Sequence, residues 1–222
     1  MTDESLSFTL RPAETHEDLL AACEVRAQAY GHHDPAFGSQ LAAPDAIDSS
    51  PWTHVYLCED KISGRVVGTM RAQATSLNGT QLQIDRYVEL PASYRGCARA
   101  EMTRLAAVRG ADPFVRLALF KAAYLFCIEQ GVGLLMIGAR KPSLVRAYEQ
   151  LGARDIHADG RLVQLGYAGD LPHRVLGLDV ATVENDWRDS NHALLDFMTG
   201  TRHADIRVSV ERRLRNVVEA VV

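Results

Sequence analysis

The sequence predicts an α/β domain in which a mixed central sheet of about six or seven strands is flanked by helices. Three observations carry that expectation. Residues of strand-forming type gather into short runs, "HVYLCED", "GRVVGTMRAQA" and "RAEMTRLAAV", set among segments of helical period. The run "GLLMIGA" is short and wholly apolar, as suits a strand covered on both faces. The chain has 222 residues, and at that length folding buries roughly 70–75% of the extended chain's surface. We expect one layered domain over residues 1–170, with residues 171–222 forming a helical extension packed on it.

Taken in order, "FTLRPAE" reads as a first strand. Asp18 to Tyr30 follows with Leu19, Leu20, Cys23, Ala27 and Tyr30 at helical spacing. The stretch "GHHDPAFGSQLAAPDAIDSSP" is rich in Gly, Pro, Asp and Ser, and a loop of that length is often functional. "HVYLCED" and "GRVVGTMRAQA" flank "KISG" and form a hairpin. After "RAEMTRLAAV", Pro113 suits the first turn of a helix reaching Gln130. "GLLMIGA" is the next strand, "KPSLVRAYEQLG" a helix ending at Gly152, and "GRLVQLGYAG" a further strand. Two helical segments complete the chain. In the first, Val183, Trp187, Leu194, Phe197 and Met198 share a face; in "SVERRLRNVVEAVV", Val210, Leu214, Val217 and Val221 do.

Composition narrows the function classes. Apolar residues make up 47% and charged residues 23%, as in soluble globular proteins. A formal charge of −4 argues against a general nucleic-acid or anionic-membrane binder. Cys23, Cys58, Cys97 and Cys127 form no CxxC pair and read as reduced thiols. The polar start "MTDESLSFTL" is no signal peptide, and no run of about 18 apolar residues offers a membrane span. A cytoplasmic protein is the expectation.

The informative stretch is "RAEMTRLAAVRG" at 99–110. It sets Glu101 and Arg104 among Met102, Leu105, Ala106, Ala107 and Val108, where an unpaired charge costs several kcal/mol. Partners are at hand elsewhere. Arg26 and Tyr30 lie on the first helix, Asp45 and Asp48 in the long loop, and Arg71 at the end of the hairpin. Planar arginine forks suit bidentate contacts with carboxylates, which is why arginine rather than lysine would fill such a set of positions.

The element order resembles the GCN5-related N-acetyltransferase (GNAT) fold, with "EMTRLAAV" as its central fourth strand and "LVRAYEQLGA" as the segment many acetyltransferases carry near their end. The charged positions, in one order and spacing, resemble the acyl-homoserine lactone synthases and their relatives, the long-chain N-acyl amino acid synthases, over roughly residues 10–170. "TRHADI" at 201–206 looks more like the N-acyl amino acid synthase branch. The lactone synthases usually have a tryptophan in the N-terminal loop, and "GHHDPAFGSQ" has none.

This resemblance implies an acyltransferase that moves a medium or long acyl chain from an acyl carrier protein or CoA thioester to the amine of an amino acid, with no bound cofactor. It implies that Arg26, Tyr30, Asp45, Asp48, Arg71 and Arg104 pin the N-terminal loop over the sheet and shape the acceptor pocket. An ion-pair network without chemical role is the alternative. Glu101 is the candidate general base, directly or through a water, or else an orienting group. Thr103 shares its strand face and is a candidate hydrogen-bond donor to the acyl carbonyl, or simply a β-former. Tyr148 is the candidate proton donor to the leaving thiolate, or a core tyrosine.

In this fold the fourth strand carries a bulge and parts from the fifth, so that the pantetheine arm of the donor enters between them. Ala106, Ala107, Val108, Gly138 and Ala139 are the lips of that gap here. Arg109 and Arg116 flank the next helix N-terminus, an anion site by its dipole. "RGADPF" lacks the glycine spacing of the usual CoA phosphate loop, which favours an acyl carrier protein as donor and partner. Arg140, Lys141 and Arg146 suit its acidic surface, unless they form an ordinary solvated face.

Other readings are a lactone autoinducer synthase using S-adenosylmethionine and a non-catalytic acyl-binding or regulatory protein. Neither "GHHDP", which lacks a third spaced ligand, nor Cys97, which lacks a His or Asn arrangement, makes a metal or nucleophile site. "ERRLR" reads as the charged face of a capping helix.

Overall fold

A computed structural model describes residues 5–75, 81–94, 96–200 and 202–209. Eight strands form a single mixed sheet. They are β1 (Phe8–Pro12), β2 (Thr53–Asp60), β3 (Val66–Ala74), β4 (Arg99–Ala107), β5 (Leu134–Ala139), β6 (Arg154–Asp155), β7 (Val163–Leu165) and β8 (Leu171–Asp179). Their spatial order is β1-β2-β3-β4-β5-β8-β6, with β7 pairing β8. Among these pairs β4–β5 alone is parallel. The helices are α1 (His16–Gly31), α2 (Pro35–Gln40), α3 (Phe114–Gln130), α4 (Pro142–Gln150), α5 (Val183–Asp189) and α6 (Leu195–Thr199).

The expected strand and helix order holds from β1 through α4. Three details differ. The long loop contains α2, started by Pro35 and capped by the Asp34 carboxylate, which accepts from the Phe37 N–H at 3.0 Å. Its six residues are too few to show a period. "GRLVQLGYAG" is a strand only over Val163–Leu165, after which a 3₁₀ turn, Gly166–Ala168, takes the chain off the sheet. Leu171–Asp179, assigned to the helical extension, is instead a central strand between β5 and β6. Pro172 and Gly177 hid its period. The sheet therefore has eight strands rather than six or seven.

The helix expected over 182–198 is two, interrupted where Asn191 takes a left-handed conformation (φ 47°). Trp187 of α5 is buried and its indole N–H bonds the Leu151 carbonyl at 3.1 Å. "SVERRLRNVVEAVV" lies outside the described residues from Val210 onward, as does Thr201. The preceding segment runs beside β1. The Leu10 N–H bonds the Asp205 carbonyl at 2.7 Å, the Arg207 N–H bonds the Leu10 carbonyl at 2.8 Å, and Leu10 bridges Ile206 in parallel.

One sheet face is apolar. Met70, Ala72, Met102, Leu135, Ile137 and Leu176 pack there on α3 and α4. The opposite face carries two apolar patches, one around Val55 and Leu57 under α1, the other around Met136 and Val175 under Leu82 and Ile84. Between them runs a polar strip. On α1 the buried residues are Ala22, Cys23, Val25 and Arg26, while Leu20 of the expected apolar face is exposed, because this side of the helix serves the strip. All four cysteines are unpaired, and no helix among the described residues is long and apolar enough to cross a membrane.

Lys121 lies buried on α3 without an ion pair among the described residues, its ammonium 4.5 Å from the centre of the Phe197 ring of α6. Burial lowers its pKa to about 8 from 10.5. A lowered base is penalised while charged, so stability contributed at this position is complete above about pH 10.5 and is lost as pH falls through about 8. Lys121→Met should therefore melt about 2–4 °C higher than the parent for each kcal/mol relieved at pH 7. That difference should shrink between pH 8 and 10 in melts followed by circular dichroism.

Candidate active site

The polar strip is built around Arg71, a fully buried residue of β3. Strand alternation puts Arg71 and Gln73 on the face opposite Met70 and Ala72. They pair across the sheet with Thr103 and Glu101 of β4. The Arg71 guanidinium bonds four groups. Nε donates to Thr103 Oγ1 at 3.0 Å, and Nη2 to Gln83 Oε1 at 2.8 Å. Nη1 meets both Asp45 oxygens at 2.7 and 2.8 Å and Asp48 Oδ1 at 3.2 Å. Asp48 is also held by Arg26, whose Nη1 lies 2.9 Å from each of its oxygens. Asp45 and Asp48 accept from each other's backbone N–H, which closes their turn. Burial pushes the Asp45 carboxyl up, but the Arg71 hydrogen bonds and charge outweigh it and leave its pKa lowered.

Five of the six expected charged residues thus converge: Arg26, Asp45, Asp48 and Arg71 in one ion network, and Arg104 beside it on the wall of a shared cavity. Glu101 stands a step away, without an ion pair among the described residues. It is buried, and its carboxylate accepts from the Ile84 N–H at 3.2 Å and from the Tyr167 hydroxyl. Burial raises its pKa, against the two hydrogen bonds and the Arg71 charge, which lower it.

β4 is bulged beside this cluster. Between Thr69↔Ala106 and Arg71↔Thr103, β3 advances two residues and β4 three. Arg104 takes up the extra residue with φ 56°, a left-handed conformation rare for a side-chain-bearing residue. The bulge lets successive residues Thr103 and Arg104 serve the same side. Tyr30 braces it, its hydroxyl donating to the Leu105 carbonyl at 3.2 Å.

Beyond the bulge β4 and β5 part. They pair from Arg99↔Leu134 to Met102↔Ile137 and no further, while Gly138 and Ala139 continue to pair with β8. Ala106 and Ala107 pair with β3, and the Val108 N–H bonds the Val67 carbonyl while its own carbonyl accepts from the Ala111 N–H. The glycine at 138 also answers to packing, since an added Cβ would lie 3.0 Å from Leu165 Cδ1. Tyr148 is buried on α4, stacked on Phe120 with ring centres 5.7 Å apart and within electrostatic reach of Tyr30. Burial raises its pKa.

Arg109, Arg116, Arg140, Lys141 and Arg146 are exposed. At the start of α3 the Asp112 carboxylate accepts the Phe114 N–H at 2.9 Å, so an acidic group already occupies that helix terminus. His33 lies 3.1 Å from Lys141 Nζ, and the Cys97 thiol bonds the Tyr94 carbonyl. Of "TRHADI", the described residues 202–206 lie by the β1 edge rather than in the cluster.

A cavity of about 200 Å³ opens beside the cluster, lined among others by Arg26, Phe37, Leu41, Asp45, Arg104 and Tyr167. Glu101 is not part of this lining, but Tyr167, whose hydroxyl bonds the Glu101 carboxylate, is. Tyr167, Phe37 and Gln83 escaped the sequence reading. For Tyr167 a signal existed: Gly166 and Gly169 bracket it inside a supposed strand, which marks a turn.

A sheet with a bulged fourth strand parting from a parallel fifth, covered by helices on both faces, is the fold of the GCN5-related N-acetyltransferases. FeeM, an N-acyl amino acid synthase from uncultured soil microbes, is similar with a TM-score of 0.63 and 20% identity over 86% of this chain and 97% of its own. BjaI, a CoA-dependent acyl-homoserine lactone synthase solved with SAM and isopentyl-CoA, gives 0.59 and 18% over 90% and 92%. The ribosomal-protein-S18-alanine N-acetyltransferase from Escherichia coli gives 0.52 and 16% over 78% and 94%. No family model matches the sequence, and no curated protein matches it.

Replacing Arg71 leaves Asp45 and Gln83 without their guanidinium partner and Asp48 with Arg26 alone. Arg71→Met should cost about 3–5 kcal/mol, as losing one side of a buried ion pair does. Urea denaturation measures it, and a loss below about 1 kcal/mol would show that the network is dispensable to the fold.

Proposed function

We propose that this protein is an N-acyltransferase that moves a medium or long acyl chain from a thioester to the amine of an amino acid. The observation that carries the reading is a single juxtaposition. A buried carboxylate with a raised pKa, Glu101, connects through Tyr167 to a cavity beside the gap between β4 and β5. Similarity to FeeM, an N-acyl amino acid synthase, and to BjaI supports it.

In this reading the thioester arm lies between Ala106–Val108 and Gly138–Ala139, bonding backbone groups that β4 and β5 leave free. The amine occupies the cavity. Its nitrogen attacks the thioester carbonyl carbon while the Tyr167 oxygen accepts a proton and the Tyr167 hydroxyl passes its own to Glu101. The tetrahedral intermediate collapses, the C–S bond breaks, and the thiolate leaves. Tyr148, held neutral by burial, serves as hydrogen-bond donor to that thiolate. Thr103 accepts from the Arg71 Nε and keeps its own O–H to donate to the acyl carbonyl.

The donor we favour is an acyl carrier protein. Asp112 at the α3 terminus disfavours the multiple phosphates of CoA at that point, whereas exposed Arg140, Lys141 and Arg146 suit an acidic partner.

The direct assay is purified protein with acyl carrier protein or CoA thioesters of graded length and a panel of amino acids, products read by mass. No N-acyl product would refute the reading, and methylthioadenosine release from S-adenosylmethionine would redirect it to lactone synthesis. Glu101→Gln should lower kcat by at least about 100-fold yet melt no lower than the parent. An acid raised on folding contributes most below its ordinary value near 4.5 and loses that contribution as pH rises through the raised value, so neutralising it is no loss at pH 7. The acid limb of kcat/KM should lie above the usual carboxylate range. Tyr167→Phe removes the relay and should lower kcat about as far as Glu101→Gln does.

A further inference from the structure

The part of the cavity wall that α2 supplies is set by a contact made without side chains. Phe37, Gln40 and Leu41 line the space from α2, and Arg26 lines it from α1. Only residues 32–34 join the two helices, and the Tyr30 carbonyl accepts from the N–H groups of both His33 and Asp34 at 3.0 Å. The helices meet at Gly31 and Gly38. A Cβ at position 38 would lie 2.4 Å from Gly31 Cα, 2.8 Å from the Gly31 nitrogen and 2.9 Å from the Ala27 carbonyl oxygen. All three are backbone atoms, which cannot swing aside as the tip of a side chain can, so a larger residue here must lift α2 off α1. The relation is one-sided. A Cβ at position 31 would find, beyond its own helix and chain neighbours, Gly38 Cα at 3.6 Å, an ordinary contact.

The seating of α2 decides where Phe37 stands. Its ring meets Tyr30 edge-on with centres 5.6 Å apart, and the Arg104 guanidinium lies 5.4 Å from its centre. A Cβ at Gly169 would be 3.5 Å from Phe37 Cγ. One ring thus lies against α1, the β4 bulge and the turn before β8. Arg104 makes no ion pair among the described residues, so the Phe37 face is what its charge rests on. Glycine inside a helix is a cost relative to alanine, so position 38 answers to the close approach and not to the helix itself.

We infer that Gly38 is a specificity-determining position. By seating α2 directly on α1 it holds Phe37 and Leu41 as a wall that does not yield, and so limits the bulk of the amine-bearing molecule the cavity takes. A wall fixed by backbone contact discriminates by size more sharply than one that a side chain can vacate. The inference rests on the acyl-transfer reading for the identity of that molecule. Lifting α2 away from Arg26 of α1 widens the space between them and admits bulkier acceptors.

The test compares the parent with Gly38→Ala, Leu41→Ala and Gly31→Ala. Leu41→Ala opens the same wall without touching the crossing, so the size limit stays testable if Gly38→Ala folds poorly. For each, kcat/KM is measured with glycine, alanine, leucine, phenylalanine and tryptophan as acceptors and one acyl thioester as donor. Hydrogen exchange read by mass follows the amides of residues 35–41. Gly38→Ala and Leu41→Ala should raise kcat/KM for bulky acceptors relative to small ones by about 10-fold or more, and Gly31→Ala should keep the parent's ranking. Exchange over residues 35–41 should quicken in Gly38→Ala and not in Gly31→Ala. A general folding defect lowers every acceptor alike and leaves the ranking in place.

An unchanged ranking in both Gly38→Ala and Leu41→Ala, or a ranking altered as strongly by Gly31→Ala, would overturn the assignment. If the parent acylates no amine, the acyl-transfer reading falls by itself, and the exchange data then decide the role of Gly38. Faster exchange in Gly38→Ala alone upholds it as the residue that fixes the wall, and equal exchange in all the proteins sinks it.

Discussion

One guanidinium holds four chain segments in register. Arg71 belongs to β3, clasps Thr103 of β4, gathers Asp45 and Asp48 from the loop after α2, and fixes Gln83 ahead of the Ile84–Arg86 turn. Such a group is expensive to bury and is tolerated only because nearly every donor it has is used. The constraint propagates in both directions. The loop at 41–52 is drawn over the sheet and becomes a cavity wall. The Gln83 segment is drawn over β4 and β5, so that the Ile84 N–H reaches Glu101. A lysine in this position has neither the reach nor the planar geometry to do the same.

The backbone adds the second ingredient. The parallel β4–β5 pairing runs from Arg99 to Met102 and ends there, so the two strands are unpaired with each other beyond it. The bulge at Arg104 follows directly on that end. Its extra residue turns two consecutive side chains to one side, which a regular strand forbids. Chemistry and geometry are therefore set by the same irregularity: the residue that breaks the ladder is also the one left without a counter-ion.

The parts legible in the sequence were those where a local cost announced itself. Glu101 and Arg104 stood out because charges in an apolar strand must be answered, and Arg26, Asp45, Asp48 and Arg71 were singled out by their resemblance to the charged positions of the acyl-homoserine lactone and N-acyl amino acid synthases. The strands β1 to β5 were legible because their composition and turns agree. What stayed hidden obeys a different logic. Tyr167 and Phe37 are aromatic residues in stretches whose default reading is core or loop, and nothing local says that one will meet a carboxylate and the other a guanidinium. Gln83 is a neutral side chain whose importance lies entirely in Arg71. β8 was hidden by Pro172 and Gly177, and its place between β5 and β6 is a property of the assembled sheet that no window of sequence contains.

The segment from His203 to Val208, laid along β1, carries a consequence for how the molecule is made. It joins residues near the two ends of the described chain, Leu6 bonding Asp205 across 199 positions. Contacts of such span form late, because so much chain must first be ordered. Until then the outer edge of β1 offers free amides and carbonyls to any passing strand, the template for aggregation that finished proteins cover. During synthesis the ribosome releases the shield after the edge it protects, so for this protein the interval before that segment docks is the time of greatest exposure to mispairing.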